Sequence, residues 1–297
     1  MPEFAAADGT GLAYQVHGDG PPLVLVPGGP GRAGTYLAGL AGAVGRRSTV
    51  ILDNRGTGAS QAPADPDSYR FERLVDDIEA LRVHLKLERI DLLGHSSAGN
   101  TALLYAVRHP ERVARLVLMC PSTRAVGIGV EDFEEALSRR SHEEWYSGAR
   151  SALEAWTGSA TIEESVPHRE RAAPFFYGRW DEAAETHARA EAHELSPPAA
   201  AGFYAGSTVD PDGIRTAAAK LPTPVLVVTG ELDPFPTPAT GAKLAALFPH
   251  GESFVQPGAG HYPWLDDKET LAEALQRFLA RPVYEAPASD QPAIGLR

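Results

Sequence analysis

Ser96 lies in a sequence context that could turn a hydroxyl group into a nucleophile. An apolar run that predicts a strand ends at Gly94, the serine follows, and a helical pattern begins at Ala98. A sharp turn from strand to helix needs small residues two positions before and after the serine, because the backbones pass close together there. Ser97 is the competing candidate, but it would place the bulky His95 two positions upstream. We therefore predict that Ser96 is the nucleophile.

An acid and a histidine follow Ser96 along the chain. The order serine, acid, histidine is the one expected for a nucleophile in such a strand-to-helix turn. Asp233 comes shortly after the apolar run 225–229, and His261 lies in a glycine-rich loop after a run that ends at Val255. The carboxylate would hold the imidazole in the correct tautomer, and the imidazole would take the serine proton. Glu231 is the alternative acid, but the turn Gly-x-x-Asp aims the shorter carboxylate of Asp233 back at the site. These residues predict a Ser-His-Asp triad.

A glycine-rich loop near the N-terminus supplies candidate donors for an oxyanion. The sequence Pro-Gly-Gly-Pro-Gly at 27–31 follows a predicted strand. Glycines let backbone N–H groups approach a substrate oxygen closely. We predict the N–H groups of Gly29 and Ser97 as the donors, with Gly28 and His95 as candidate substrate-binding residues. A phosphate loop fits poorly, since no Lys-Ser/Thr pair follows and the glycine spacing differs from that of a dinucleotide motif.

Taken together, these segments resemble the α/β-hydrolases, and within them the prolyl aminopeptidase-like serine peptidases and related esterases. The resemblance is carried by Gly28-Gly29-Pro30-Gly31, Asp53-Asn54-Arg55-Gly56-Thr57-Gly58-Ala59-Ser60, the turn around Ser96, Gly230-Glu231-Leu232-Asp233 and Gly260-His261. The chain has Pro27 and Asn54 where the peptidase group usually has His and Gln. It has Gly-His-Ser-Ser-Ala at the turn instead of Gly-Gly-Ser-Trp-Gly, which is closer to general esterases.

Strand and helix patterns alternate along much of the chain, which predicts a mostly parallel central sheet flanked by helices. This agrees with the α/β-hydrolase fold that the resemblance implies. Residues 122–219 contain no strong strand pattern and predict a helical cap inserted into a core formed by 1–121 and 220–285. The proline-containing tail 286–297 lacks periodicity and is predicted to be mobile.

The cap also offers candidates for substrate binding. Trp180, Asp181 and Glu182 place an aromatic ring beside two carboxylates. A peptidase that recognises a free α-amino group needs carboxylates around it, because burying an unpaired ammonium is costly. The cap carboxylates that could recognise a free amine are Glu163, Glu164, Asp181, Glu182 and Glu185, and a cap aromatic such as Trp180 could hold a proline ring.

Composition limits the possible partners. The 297 residues include 39 acidic and 27 basic side chains, for a net charge of −12, which argues against a nucleic-acid or anionic membrane surface. The single cysteine, Cys120, excludes an intramolecular disulfide and is expected to pack as a small hydrophobic residue. The chain has no signal-like start and no apolar run long enough for a bilayer, so we expect a cytoplasmic protein. No metal-binding or redox-cofactor motif is visible, and we expect no cofactor.

The sequence thus predicts a serine hydrolase that cleaves an ester or amide bond of a small, largely apolar substrate through an acyl-enzyme. Release of N-terminal residues, as by a prolyl aminopeptidase, is an alternative that would make short peptides the substrates. An acyltransferase or cyclase, or a non-hydrolytic binding protein on the same fold, are two further alternatives. The oligomeric state is left open.

Overall fold

A single eight-stranded sheet forms the centre of the molecule. The computed structural model describes residues 1–282; the predicted tail 286–297 lies outside the described residues. The strands are β1 (Glu3–Ala5), β2 (Gly11–His17), β3 (Pro22–Val26), β4 (Ser48–Leu52), β5 (Ile90–His95), β6 (Val113–Met119), β7 (Val225–Gly230) and β8 (Gly251–Gln256). Their order is β1-β2-β4-β3-β5-β6-β7-β8. Only the pairs β1–β2 and β2–β4 are antiparallel, so the predicted mostly parallel sheet is confirmed.

Nearly continuous runs of apolar residues form the strands β3, β5, β6 and β7, because both faces of the sheet are covered there. Successive side chains point to opposite faces, so each strand contributes to two cores. In β3, Val24 packs in a core with residues of the helices Leu74–His84, Ala98–Arg108 and Pro238–Ala245, whereas Leu25 packs in a core with residues of the helix Lys268–Leu279. The register along the parallel strands is therefore fixed on both faces.

The helices are α1 (Leu74–His84), α2 (Ala98–Arg108), α3 (Phe133–Ser138), α4 (Tyr146–Thr157), α5 (Ile162–Ala172), α6 (Glu182–Glu194), α7 (Pro197–Gly202), α8 (Pro211–Ala218), α9 (Pro238–Ala245), α10 (Pro263–Asp266) and α11 (Lys268–Leu279). A long 3-10 turn at Gly34–Gly42 packs on the same face as α11. None of the helices within residues 1–282 is long and apolar enough to cross a membrane.

Helices α3 to α8 lie between β6 and β7, in the segment that the sequence predicts as a cap. Part of this segment has a small core of its own, which includes Leu137, Leu153 and Phe175. Arg32 connects it to the core domain, since its Nε lies 2.6 Å from Glu194 Oε2 at the end of α6 and its side chain is almost fully buried. Residues of α4 and α5 line one cavity together with the loops that follow β3, β5 and β7 at the carboxyl ends of the strands.

Candidate active site

Ser96 occupies a strained turn between β5 and α2. Its φ is +55°, a value that side-chain-bearing residues rarely adopt and that is often found at functional positions. The turn is held by a hydrogen bond of 3.0 Å from Ser96 N to Met119 O. A Cβ on Gly94 would lie 2.6 Å from Ala98 O, which explains why this position needs a glycine. The Ser96 side chain lines a cavity, whereas the hydroxyl of Ser97 is buried and has no hydrogen-bond partner.

Asp233 and His261 come together in the structure. His261 Nδ1 lies 2.8 Å from Asp233 Oδ2, and Asp233 is completely buried. A carboxylate only accepts, so Nδ1 carries the proton and Nε2 of the neutral ring is the free base. Asp233 Oδ1 accepts a hydrogen bond of 2.9 Å from Phe235 N, which fixes the carboxylate. Ser96 Oγ makes no hydrogen bond to His261 within residues 1–282, and such bonds often close only when substrate binds.

Glu231, the alternative acid, is hydrogen-bonded to the backbone of Gly258 and not to His261. Its Oε2 accepts a hydrogen bond of 2.8 Å from Gly258 N, and its side chain is exposed. The loop that carries His261 is also held by Asp266, whose Oδ2 accepts from Gly260 N at 2.8 Å. Burial raises the pKa of Asp266. The geometry therefore places Asp233, and not Glu231, beside the imidazole.

Two backbone N–H groups near Ser96 are free to bind an oxygen. Those of Gly29 and Ser97 donate to no acceptor within residues 1–282. Gly28 packs tightly against the serine turn, since a Cβ there would lie 2.5 Å from His95 O. This close approach requires glycine at position 28 and places the glycine loop directly beside Ser96.

Tyr36 and His95 connect the three loops of the site. Gly28 N donates to the Tyr36 hydroxyl at 2.8 Å, and that hydroxyl lies 2.8 Å from His95 Nδ1. His95 Nε2 lies 2.9 Å from the carbonyl oxygen of His261. Since a carbonyl only accepts, His95 is protonated on Nε2 and Tyr36 donates its proton to Nδ1. Burial and the nearby His261 lower the pKa of His95 well below its ordinary value, so this ring stays neutral.

Cys120 adjoins the Asp233–His261 pair. Its Sγ and one ligand atom from each of those residues lie within 4.8 Å of one another, the spacing of a possible metal site. Burial and the charge of Asp233 raise the pKa of the thiol well above its ordinary value. Metals bind the thiolate, and His261 Nδ1 is already bonded to the carboxylate, so these residues are a poor metal site.

A cavity of about 550 Å³ opens in front of Ser96. It is lined by Gly29, Pro30, Arg32, Tyr36, His95, Ser96, Ser97, Ser122, Arg124, Val130, Phe133, Leu153, Trp156, Thr157, Arg169, Ala173, Phe176, Tyr177, Glu191, Tyr204, Phe235, His261 and Tyr262. Much of this lining is apolar or aromatic, as in most sites for small molecules.

Several predicted site residues face this cavity and others do not. Gly28 lies behind Gly29 and is not part of the lining. Trp180, Asp181 and Glu182 are also outside it: Asp181 caps α6 by accepting from Ala184 N at 3.0 Å, and Glu182 is exposed. As the N-cap of α6, the Asp181 carboxylate is engaged by the helix backbone.

The sequence reasoning missed the charged and polar lining residues Arg32, Tyr36, Arg124, Arg169 and Glu191. No local motif marks these residues, since they come from separate loops and helices of the core and the cap segment. Four aromatic residues of the segment 122–219 also line the cavity: Trp156, Phe176, Tyr177 and Tyr204.

Comparison with known proteins agrees with this architecture. A proline iminopeptidase of Lactobacillus helveticus is 44% identical over 103 residues, and that match covers 33% of this chain and 35% of the relative. A 2-hydroxymuconate semialdehyde hydrolase of Pseudomonas putida is 27% identical over 272 residues, or 90% of this chain and 86% of the relative. The structure of an esterase, RhEst1, from a Rhodococcus species is similar with a TM-score of 0.72 at 24% identity, covering 94% of this chain and 98% of the other, which shows the shared fold.

The first of these relatives is thus matched over only about a third of its length. A much longer segment, residues 21–268, matches the family described as alpha/beta hydrolase fold. That segment contains β3 to β8, the serine turn, the Asp233–His261 pair and the glycine loop. The chain belongs to the alpha/beta hydrolase fold family.

Proposed function

We propose that this chain is a serine hydrolase that cleaves an ester or amide bond of a small, largely apolar substrate. The observation that carries the proposal is the buried Asp233–His261 hydrogen bond beside the strained Ser96 in one cavity. Asp233 orients the imidazole, and His261 Nε2 takes the proton from Ser96 Oγ as this oxygen attacks the substrate carbonyl carbon. His261 then gives the proton to the leaving group, whose bond to carbon breaks and leaves an acyl-enzyme on Ser96. Water attacks the acyl-enzyme and passes a proton to His261, which gives it to Ser96 Oγ as the bond between this oxygen and the acyl carbon breaks and the acid is released.

The free N–H groups of Gly29 and Ser97 support this mechanism. They are the predicted donors to the negative oxygen of the tetrahedral intermediate, and the loss of one such donor typically costs about 3–4 kcal/mol of transition-state stabilisation. Because the N–H groups belong to the backbone, they are fixed before the reaction begins. Gly28 holds the first of them close to the serine turn.

The charges in the cavity favour a substrate without a free amine. Within residues 1–282, Glu191 is the one carboxylate in the lining. It is paired with Arg169 and lies 3.8 Å from Arg32. An α-ammonium group would therefore meet a carboxylate that two guanidinium groups already neutralise. This observation favours the hydrolysis of esters or amides over the release of an N-terminal proline.

The proposal predicts which substrates are hydrolysed. Purified protein should hydrolyse p-nitrophenyl esters of short acyl chains and react with a fluorophosphonate probe. Proline p-nitroanilide should be no better a substrate than its N-acetylated form. A strong preference for the free amine would instead establish an aminopeptidase. Labelling without turnover would indicate a binding protein, and acyl products other than the acid would indicate a transferase or cyclase.

Tyr36 is expected to act as a positioning residue for this reaction. In Tyr36→Phe, the buried N–H of Gly28 and Nδ1 of His95 both lose their partner. Leaving a buried polar group unpaired costs about 1–3 kcal/mol, and the glycine loop and the serine turn lose a shared connection. We expect kcat to fall about 10- to 100-fold with little change in KM, together with a lower melting temperature.

Tyr105→Phe is the matched control for this prediction. Tyr105 is also buried, and its hydroxyl donates to Glu79 Oε2 at 2.8 Å on the α1–α2 side of the sheet. We expect it to lower the melting temperature and leave kcat unchanged. If both variants lower stability and neither lowers kcat, Tyr36 has only a structural role.

A further inference from the structure

The charged residues that line the cavity fall into two groups. Within residues 1–282 these residues are Arg32, Arg124, Arg169 and Glu191. Arg32 lies 2.6 Å from Glu194 and 3.8 Å from Glu191, and Arg169 is paired with Glu191 and donates to the carbonyl of Gly29 at 3.1 Å. Two arginines are therefore matched by two glutamates. Arg124 is the remaining charged residue of the lining, and neither of these glutamates pairs with it.

Arg124 has no carboxylate partner in the part of the chain that the structure describes. It begins a short 3-10 turn, Arg124–Val126, shortly after β6, and it is exposed at the edge of the cavity. Its guanidinium carbon lies 4.4 Å from the centre of the Tyr204 ring. Stacking on an aromatic face leaves the N–H groups at the edge of the guanidinium available to bind an anion.

Hydrogen bonds fix this arginine relative to Ser96. Asn100 on α2 donates from Nδ2 to the Tyr204 hydroxyl at 3.0 Å, and this hydroxyl donates to Ser122 Oγ at 3.3 Å. Asn100 Oδ1 accepts from Ala125 N at 2.8 Å, beside Arg124. The N–H of Ser122 donates to the carbonyl of Ser96 at 2.9 Å. The stacking ring and the backbone on both sides of Arg124 are thus connected to the serine turn, which lowers the entropic cost of ordering its side chain.

We propose that Arg124, with the hydroxyl of Ser122, forms a subsite that binds a carboxylate group of the substrate. Ser122 Oγ accepts from Tyr204, so its own proton is available for donation. The two planar N–H groups of a guanidinium match the two oxygens of a carboxylate. The single positive charge of Arg124 is balanced by the single negative charge of a carboxylate, which favours a substrate with one ionised group. The inference rests on the proposed hydrolysis and names its preferred substrates: esters or amides that carry a second, ionised carboxyl group remote from the scissile bond.

The test compares matched substrates in the wild type and in Arg124→Gln. p-Nitrophenyl hydrogen glutarate carries a carboxylate where p-nitrophenyl pentanoate carries a methyl group, and 4-carboxyphenyl acetate is paired with phenyl acetate. The ratio of kcat/KM within each pair is measured after subtraction of the uncatalysed rate. Comparing these ratios between variants cancels the intrinsic reactivity of the esters. We expect Arg124→Gln to lower one of the two ratios about 10-fold, which is the scale of a charge-assisted hydrogen bond near solvent.

Three controls make the result specific. Arg124→Lys should retain part of the preference for the anionic ester, because it keeps the charge and loses the planar pair of donors. Arg189→Gln removes an exposed arginine of α6 that pairs with Glu185 outside the cavity lining, and it should leave both ratios unchanged. Added salt should reduce the affected ratio in the wild type more than in Arg124→Gln. If Arg124→Gln leaves both ratios as they are, or lowers the rates for charged and neutral esters equally, the subsite is overturned.

A binding measurement separates this inference from the proposed hydrolysis. Monomethyl glutarate and 4-carboxyphenyl acetate are each titrated calorimetrically into Ser96→Ala and into Ser96→Ala with Arg124→Gln, where no turnover is needed. We expect the Kd of the ester that matches the affected pair to rise about 10-fold when the arginine is removed; an unchanged Kd for both esters overturns the subsite. If the wild type hydrolyses no ester at all while this difference in Kd is present, the hydrolysis proposal fails and the anion subsite stands.

Discussion

Replacing Ser96 with Ala is expected to abolish turnover and fluorophosphonate labelling while the fold is retained. The change removes the hydroxyl of a cavity-lining serine that sits in a turn with φ of +55°. Removing the nucleophile of a serine protease lowers kcat on the order of 10⁶-fold, and we expect a loss of that scale. The backbone N–H groups of Gly29 and Ser97 remain, so weak residual catalysis over water is expected. Circular dichroism and the melting temperature report whether the fold is unchanged.

Ser97→Ala is the control for this prediction. The Ser97 hydroxyl is buried without a hydrogen-bond partner, so its loss should change the rate only a few-fold. Its backbone N–H, the predicted oxyanion donor, is retained. An inactive Ser97→Ala together with an active Ser96→Ala would show that the serine turn has been assigned in the wrong register. Full activity in both variants would exclude a serine nucleophile from this turn.

Asp233→Asn is expected to cost about 10⁴-fold in kcat, the size of the corresponding change in a serine protease. An asparagine can present its NH₂ group to His261 Nδ1 and so favour the tautomer with the proton on Nε2. Nε2 could then no longer accept the proton of Ser96. Because Asp233 is completely buried and also accepts from Phe235 N, the fold should be checked by thermal unfolding. The rate of fluorophosphonate labelling should fall with kcat, since it uses the same base.

Glu231→Gln is the matched control, because it makes the same chemical change two residues away. Glu231 is exposed and accepts from Gly258 N through an oxygen that glutamine keeps. We expect a rate within a few-fold of the wild type. A large loss in Glu231→Gln with a small loss in Asp233→Asn would move the acid to position 231.

The central elements of the fold could be predicted from the sequence because their signals are local. A buried parallel strand appears in the sequence as a short apolar run, and the run at 225–229 forms β7. Helix α1 begins at Leu74, after a separate 3-10 turn at 66–69 that starts with Pro66. The small residues around Ser96 and the strand before Asp233 are signals of the same kind. The catalytic roles of Ser96, Asp233 and His261 are still predictions.

Only the tertiary structure decided what faces the substrate. Trp180, Asp181 and Glu182 combine an aromatic ring with carboxylates in the sequence, yet these residues at the start of α6 do not line the cavity. The lining pairs Arg32 with Glu194 and Arg169 with Glu191, and Tyr36 with His95 across 59 residues of sequence. Such pairs leave no periodic or local pattern, because their members are far apart in the sequence and meet only when separate loops and helices pack together. The sequence therefore indicates the chemistry that we propose for this chain, and the tertiary packing decides which charged side chains line the cavity.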